Sequence, residues 1–342
     1  MKNYKVEYDQ KLDLKAVYGE KGSAIFELPT SVKVDDAYGA YITPRNIQII
    51  RPIDLYNDEI LSEINNEQYC IYMFVKKPRI TYERLNYYKN EVRFSLRIAN
   101  KIKDEIIGDY GVDYENHIEE GNAKLNYPFH TYEVIDSKGK LFSHPAPITF
   151  DRICRENEQH HDALDFEVIY VGQTKQEKIQ KRLNPHHKLQ KVISEVNTNE
   201  PDQEIYIILF DFNIQFMMQW NKDDKDASEK QKAATKKFRN ISTEQKITLV
   251  EGALMKYFNT KDYNEKLIVN YPSVSQGSIK EAFENGISHI YFELGLPNLA
   301  GRLYSKEVEP KNEHLFRFDY DNRNEMLNFI ENITFEEVNK RK

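Results

Sequence analysis

With 342 residues and an apolar share of 40%, the chain is long enough for two domains, or one with large insertions, and can build real cores. A formal net charge of −7 argues against wholesale binding to a polyanion, and Cys70 and Cys154, with no CxxC and no companion His spacing, support neither a zinc knuckle nor a disulfide framework. No stretch approaches the roughly eighteen apolar residues of a membrane span and the N-terminus lacks a signal-peptide apolar run, so a soluble cytoplasmic protein is expected.

Residues 1–75 predict strands: YKVEYDQ, AIFELP, AYGAYITP, NIQIIRP and QYCIYMFV alternate apolar and polar residues between Gly, Pro and Asp. Residues 81–107 predict a long amphipathic helix with an apolar stripe of Leu85, Tyr88, Val92, Leu96 and Ala99. Beside that stripe Lys89, Arg93, Arg97 and Lys101 recur every four residues, a cationic row that would track a phosphate backbone or simply face solvent. The segment 108–166 is rich in turns, with strands expected at 130–136 and 147–153 and a soft boundary near 125. His160, His161 and Asp162 adjoin in a polar loop, which reads as solvated rather than as a metal site.

A strand is expected over 167–171, where Gly172 permits a tight exit and Gln173-Thr174 open a helix whose N–H groups favour an anion. Arg182 follows the packing residue Ile179 by three, and Asn184-Pro185 caps a second helix from His186 to Val196. From Lys175 to Lys191 six Lys/Arg face only Glu177, so the local charge is positive despite the net balance. After the strand EIYIILFDF (204–212), residues 213–240 read as an insertion. Ser242 and Gln245 then form a capping box for a helix striped by Ile247, Val250, Leu254 and Phe258. Glu251 falls on that stripe, where a carboxylate must be paired or bind a cation. Beyond 265, KLIVNY, HIYFELG and HLFRFDY predict strands and NRNEMLNFIENI a final helix.

Tyr170-Val171-Gly172-Gln173-Thr174, Arg182 followed by His186 in RxxxH spacing, Glu251 in EGALMKYF and finally Asn264 resemble, in that order, the GIY-YIG nuclease superfamily across about residues 130–270. The resemblance implies an α+β fold in which a three-stranded antiparallel sheet is flanked by helices. It also implies phosphodiester hydrolysis with one divalent ion, Mg2+ or Mn2+. Glu251 resembles the metal ligand, Arg182 the residue that stabilises the phosphate, Tyr170 one of two active-site tyrosines, and His186 a group that orients the site or moves a proton. Gly172, Gln173, Thr174, Lys188 and Asn264 become supporting or substrate contacts, joined by Lys89, Arg93, Arg97 and Lys101 on the basic helix. For the GIY half, Phe150 in the nearest upstream strand lacks a hydroxyl, and Tyr132 is the alternative if the hairpin carries a long insertion.

The expected organisation is a β-rich accessory region with a basic helix (1–125), a nuclease domain (126–270) and a C-terminal α/β extension (271–342). The expected function is an endonuclease acting on DNA, in restriction, repair or phage defence. A nucleic-acid-binding module on a degenerate nuclease fold and a protein-interaction subunit, including a homo-oligomer, stand beside it.

Overall fold

The computed structural model describes residues 15–19, 23–27, 37–88, 91–100, 103–114, 123–174, 178–183, 187–220, 226–268, 289–321 and 326–331. The protein is mixed α+β. Its strands are β1 Lys15–Gly19, β2 Ser23–Glu27, β3 Ala37–Ile50, β4 Ile71–Pro78, β5 Ile80–Tyr88, β6 Glu91–Ile98, β7 Glu105–Asp113, β8 Ala123–Leu125, β9 Thr131–Ile135, β10 Leu141–Pro145, β11 Phe166–Gln173, β12 Gln203–Trp220, β13 His289–Gly295, β14 Leu303–Tyr304, β15 Glu313–Asp321 and β16 Met326–Glu331. The helices are α1 Asp58–Asn65, α2 Ala146–Glu156, α3 Ile179–Leu183, α4 His187–Asn199, α5 Ala227–Asn240, α6 Thr243–Phe258 and α7 Lys261–Ile268.

Ten strands form one curled sheet in the order β14-β11-β4-β12-β3-β13-β15-β16, with the β1–β2 hairpin joined to β12. The long antiparallel pair β3–β12 is its spine, running from Ile207 opposite Ile50 to Gln219 opposite Ala37. Near its middle the register slips at Asp211–Phe212, and the Arg45 guanidinium Nε donates to Asp211 at 2.6 Å across the irregularity.

Alternation along β4, β11 and β12 sends side chains to two separate cores. On one face Val75, Val171 and Ile208 meet Ile247, Val250 and Leu254 of α6. On the other, Tyr72, Phe74, Tyr170 and Leu209 meet Ile179 and Leu183 of α3 and Leu189, Val192 and Val196 of α4. The helix α6 begins with the expected capping box, Ser242 accepting from the Gln245 N–H and the Gln245 side chain accepting from the Ser242 N–H. Beneath it, His314 is sealed from solvent. Its Nε2 donates to the Leu303 carbonyl at 2.9 Å, so its Nδ1 accepts from the Tyr257 hydroxyl at 2.7 Å.

A third core draws all its fully buried members from Ile80 to Leu164 and so spans residue 125. It joins the sheets β5-β6-β7 and β8-β9-β10 to α2. Residues 79–165 thus form a module set between β4 and β11.

Several expected elements differ. Residues 81–107 are not a helix but β5, β6 and the start of β7. Val92, Phe94, Leu96 and Ile98 are buried at every second position, and this period of two overrides the coincident helical stripe. The strand expected at 147–153 is α2, opened by Pro145 and Pro147 and burying Phe150, Ile153 and Cys154 on one side. Residues 213–220 continue β12 rather than begin an insertion, and 227–240 are α5. At the C-terminal end Lys266–Ile268 close α7, while 326–331 form β16 against β15 in place of the expected helix. The expected strand at 4–10 lies outside the described residues.

Candidate active site

The site grows from one strand pair. β4 and β11 run antiparallel with Tyr72 opposite Gly172 and Ile71 opposite Gln173. Their register slips between Val168 and Tyr170, which brings both Ile169 and Tyr170 to the face covered by α3 and α4. The Tyr72 and Tyr170 rings stack at 6.0 Å, with Phe74 4.8 Å from Tyr170. A Cβ on Gly172 would stand 2.6 Å from the Tyr72 ring and its hydroxyl and 2.9 Å from the Tyr170 ring. Gly172 is therefore required for close packing of the two tyrosines rather than for a tight exit from the strand.

The strand also runs further than expected. β11 includes Gln173, and Thr174 ends it with its N–H on the Cys70 carbonyl (3.0 Å) and its hydroxyl on the Tyr69 carbonyl (2.9 Å). No helix N-terminus lies at Gln173-Thr174, since α3 starts at Ile179.

Four more elements close on this pair. From α6, Glu251 is 9% exposed and accepts from the Gln173 amide at 2.8 Å. From α3, the half-buried Arg182 donates through Nε to the Gln173 carbonyl at 3.2 Å. Gln173 thus holds the acid with its side chain and the base with its backbone. From α7, Asn264 makes a two-way bond with Val171, accepting from its N–H at 3.2 Å and donating to its carbonyl at 3.0 Å, while Thr260 donates to Asn264 at 2.8 Å. From α4, the Lys188 ammonium lies 5.2 Å over the Tyr170 ring and donates to the Tyr263 carbonyl at 3.0 Å.

Burial raises the Tyr170 phenol above its ordinary range; its hydrogen bond with Tyr72 opposes the rise, Glu251 adds to it, and Arg182 and Asn264 oppose it. Tyr72 is raised as well, again first by burial, then by Tyr170, against the Arg182 charge. Both phenols are therefore protonated near neutrality, hydrogen-bonded to each other, and under the fields of Arg182 and Glu251 together. Cys70, two residues before Tyr72, is pushed up to about 11 by burial and is an inert thiol.

The structure brings together Tyr170, Gly172, Gln173, Arg182, Lys188, Glu251 and Asn264. Thr174 lies beside them with its hydroxyl committed to the backbone. His186, Lys89 and Lys101 lie outside the described residues. Arg93 and Arg97 sit on β6 of the 79–165 module, Arg93 paired with Glu91 at 2.9 Å and Arg97 with Glu83 at 2.7 Å and Asp104 at 2.5 Å. They share a strand face and not a helix face. Tyr132 belongs to the module's own core, bonded to Tyr114 at 3.2 Å and stacked 4.6 Å from His144, away from the β4–β11 pair. Phe150 is buried in the same core on α2.

Tyr72 is the residue that sequence reading missed. Its signal was present in Cys70-Ile71-Tyr72, an Ile-Tyr pair on an expected strand, but the whole 79–165 module separates it from Tyr170-Val171-Gly172. Elsewhere, ligand atoms of His160, Asp162 and Asp165 lie within 4.8 Å of one another, a group that could hold a metal ion. Arg302 already donates to Asp165 at 2.7 Å and to Asp162 at 3.2 Å there. Among the described residues no helix is long and apolar enough to cross a membrane. Compared with protein-family models, with curated proteins and with solved structures, the chain matches none of them.

Proposed function

We propose that the protein is a metal-dependent phosphodiesterase of GIY-YIG type that cuts DNA. One observation carries the reading: residues from five elements far apart in the chain, Tyr72, Tyr170, Arg182, Glu251 and Asn264, gather around Gly172. Cys70-Ile71-Tyr72 runs antiparallel to Tyr170-Val171-Gly172, which supplies the missing half of the motif. Around this pair β11, β4 and β12 make a three-stranded antiparallel unit between α6 and the α3–α4 pair, set inside the larger sheet.

Glu251 would hold Mg2+ or Mn2+, because a carboxylate among amide and hydroxyl groups, without thiolate in reach, is the donor set hard cations take. When bound, the ion neutralises phosphate charge and acts as a Lewis acid. The Arg182 guanidinium, steadied through Nε by a backbone carbonyl, donates to the phosphoryl oxygens as their charge grows. The Tyr170 hydroxyl, neutral and held in place by the hydrogen bond from Tyr72, orients the attacking water. Asn264 locks the strand on which Tyr170 stands.

The test is cleavage of supercoiled plasmid, single-stranded DNA and RNA with Mg2+, with Mn2+ and with chelator, by wild type, Glu251→Gln, Tyr72→Phe and Tyr132→Phe. Metal-dependent cutting should fall more than about a hundredfold in Glu251→Gln and about tenfold or more in Tyr72→Phe, and hold in Tyr132→Phe. Binding without cutting by wild type would replace the proposal with the degenerate module, and cutting that ignores both Glu251 and Tyr72 would refute it.

A further inference from the structure

Behind Arg182 lies a cavity of about 200 Å³ lined by Pro52, Ile53, Leu55, Tyr56, Leu183, Leu189, Gln190 and Ile193. One wall is the 3-10 turn Pro52–Tyr56, held rigid by the Arg51 N–H and guanidinium on the Asp54 carboxylate (2.8 and 2.9 Å) and by the buried Leu55. The other wall is α3 and α4. Ile53 and Tyr56 stand at its mouth, 64% and 63% exposed, which is unusual for such large apolar side chains in a preformed slot. Gln190 is the polar member of the lining, offering both a donor and an acceptor.

The same two helices carry the site's cations. Leu183 of the slot follows Arg182, and Leu189 follows Lys188, whose ammonium lies over the Tyr170 ring. The slot and the two cations are thus carried on the same pair of helices, α3 and α4. Lys178 and Lys181 are exposed along α3 and its approach, and Lys191 follows on α4. Lys178 and Lys181 would attract a polyanion, Lys191 being paired with Glu195 at 3.5 Å; the slot beside them is lined mainly by aliphatic side chains, with the Gln190 amide and the Tyr56 phenol among them. Those are the features that receive an unstacked base.

We infer that this slot binds one unstacked nucleobase of a single-stranded segment, next to the phosphate that Arg182 holds, an inference that rests on the phosphodiesterase reading. Tyr56 supplies the stacking face and Gln190 reads the base edge. The slot itself needs no metal.

The experiment is an abasic scan. Single-stranded DNA oligonucleotides with one abasic spacer moved along the chain are titrated, with chelator present, against wild type, Tyr56→Ala, Gln190→Ala and Glu251→Gln. In wild type and Glu251→Gln one position near the cut should weaken binding about tenfold, and in Tyr56→Ala that position should become equivalent to the rest. The exposure of Tyr56 means the variant should keep its melting temperature, which is measured alongside. A flat scan in wild type, absence of oligonucleotide binding, or a scan unchanged by Tyr56→Ala overturns the inference. So does a flat scan with Tyr56→Ala converting a dimer to a monomer by light scattering, which would make the face a contact between two copies. A position-specific scan in a protein that never cuts would keep the slot and sink the phosphodiesterase reading, so the two failures are separable.

Discussion

Replacing Gly172 by alanine tests the geometry of the site more directly than removing any charged group. The added Cβ would stand 2.6 Å from the Tyr72 ring and hydroxyl, where ordinary contacts begin near 3.4 Å. The ring must retreat by most of an ångström, yet it is fully buried, with Phe74 centred 5.4 Å and Tyr170 6.0 Å away. Overpacking of this kind costs about 1–3 kcal/mol, or a fall in melting temperature of about 2–6 °C for a chain of this size. An active-site group displaced by about 1 Å lowers turnover by about a hundredfold. Gly139→Ala is the control: Gly139 has φ +77° and open space around it, so alanine there carries backbone strain of about 1 kcal/mol without touching either tyrosine. Differential scanning calorimetry and plasmid-nicking rates should separate the two variants, both destabilised but only Gly172→Ala inactive. Native melting and native nicking in Gly172→Ala would refute the packing argument.

Two further outcomes follow from bonds already described. Gln173→Leu removes the amide that donates to the Glu251 carboxylate, a charge-assisted bond worth about 1.5–3 kcal/mol; the melting temperature should fall by about 3–6 °C and cleavage about tenfold or more, and unchanged kcat would show that Gln173 does not position Glu251. His314 is lowered to about 4, first by burial, so below pH 6.5 the unfolded chain takes a proton that the folded chain refuses until about pH 4. Stability should therefore fall by about 3 kcal/mol as the pH drops through that window, and denaturant titrations of His314→Gln should show a shallower fall than wild type; equal slopes would remove His314 as the cause.

What the sequence displayed was local chemistry, and what it concealed was pairing. The Ser242–Gln245 box, the stripe of α6 and the anomalous Glu251 are all set within a few helical turns, and each appears in the structure as read. The reading of 81–107 as helix failed because Val92 and Leu96, four residues apart, fit a period of 3.6 as well as a period of two, and only the cross-strand partners decide between them. The same ambiguity placed α2 among the strands, although Pro145 and Pro147 mark a helix start. Tyr170, Arg182, Glu251 and Asn264 were each singled out from local spacing, and the structure brings them together. Tyr72 was not singled out, since its relation to Gly172 exists only in the register of β4 on β11.

That register also explains how Tyr72 and Gly172 stay opposite each other with a whole module between β4 and β11. Tyr72 and Gly172 lie at one end of the β4–β11 ladder, whereas the chain leaves for residues 79–165 at the other, beyond Lys76 opposite Glu167. Six residues of strand put roughly 20 Å between the two ends. The module brings its own core, with Ala300 as the partly buried outside residue packed on it, so it does not borrow apolar surface from the β4–β11–β12 unit. Lengthening a connection adds closure entropy slowly, about 0.6 kcal/mol per doubling, and here the ends are pinned by Lys76 on Glu200 at 2.8 Å and by Arg302 on Asp165 at 2.7 Å. β4 is also flanked on its far side by β12, eight consecutive pairs from Gln203 opposite Pro78 to Phe210 opposite Ile71. The position of Tyr72 is therefore set by strands on both edges, and a tight turn between β4 and β11 is not needed to hold the two tyrosines together.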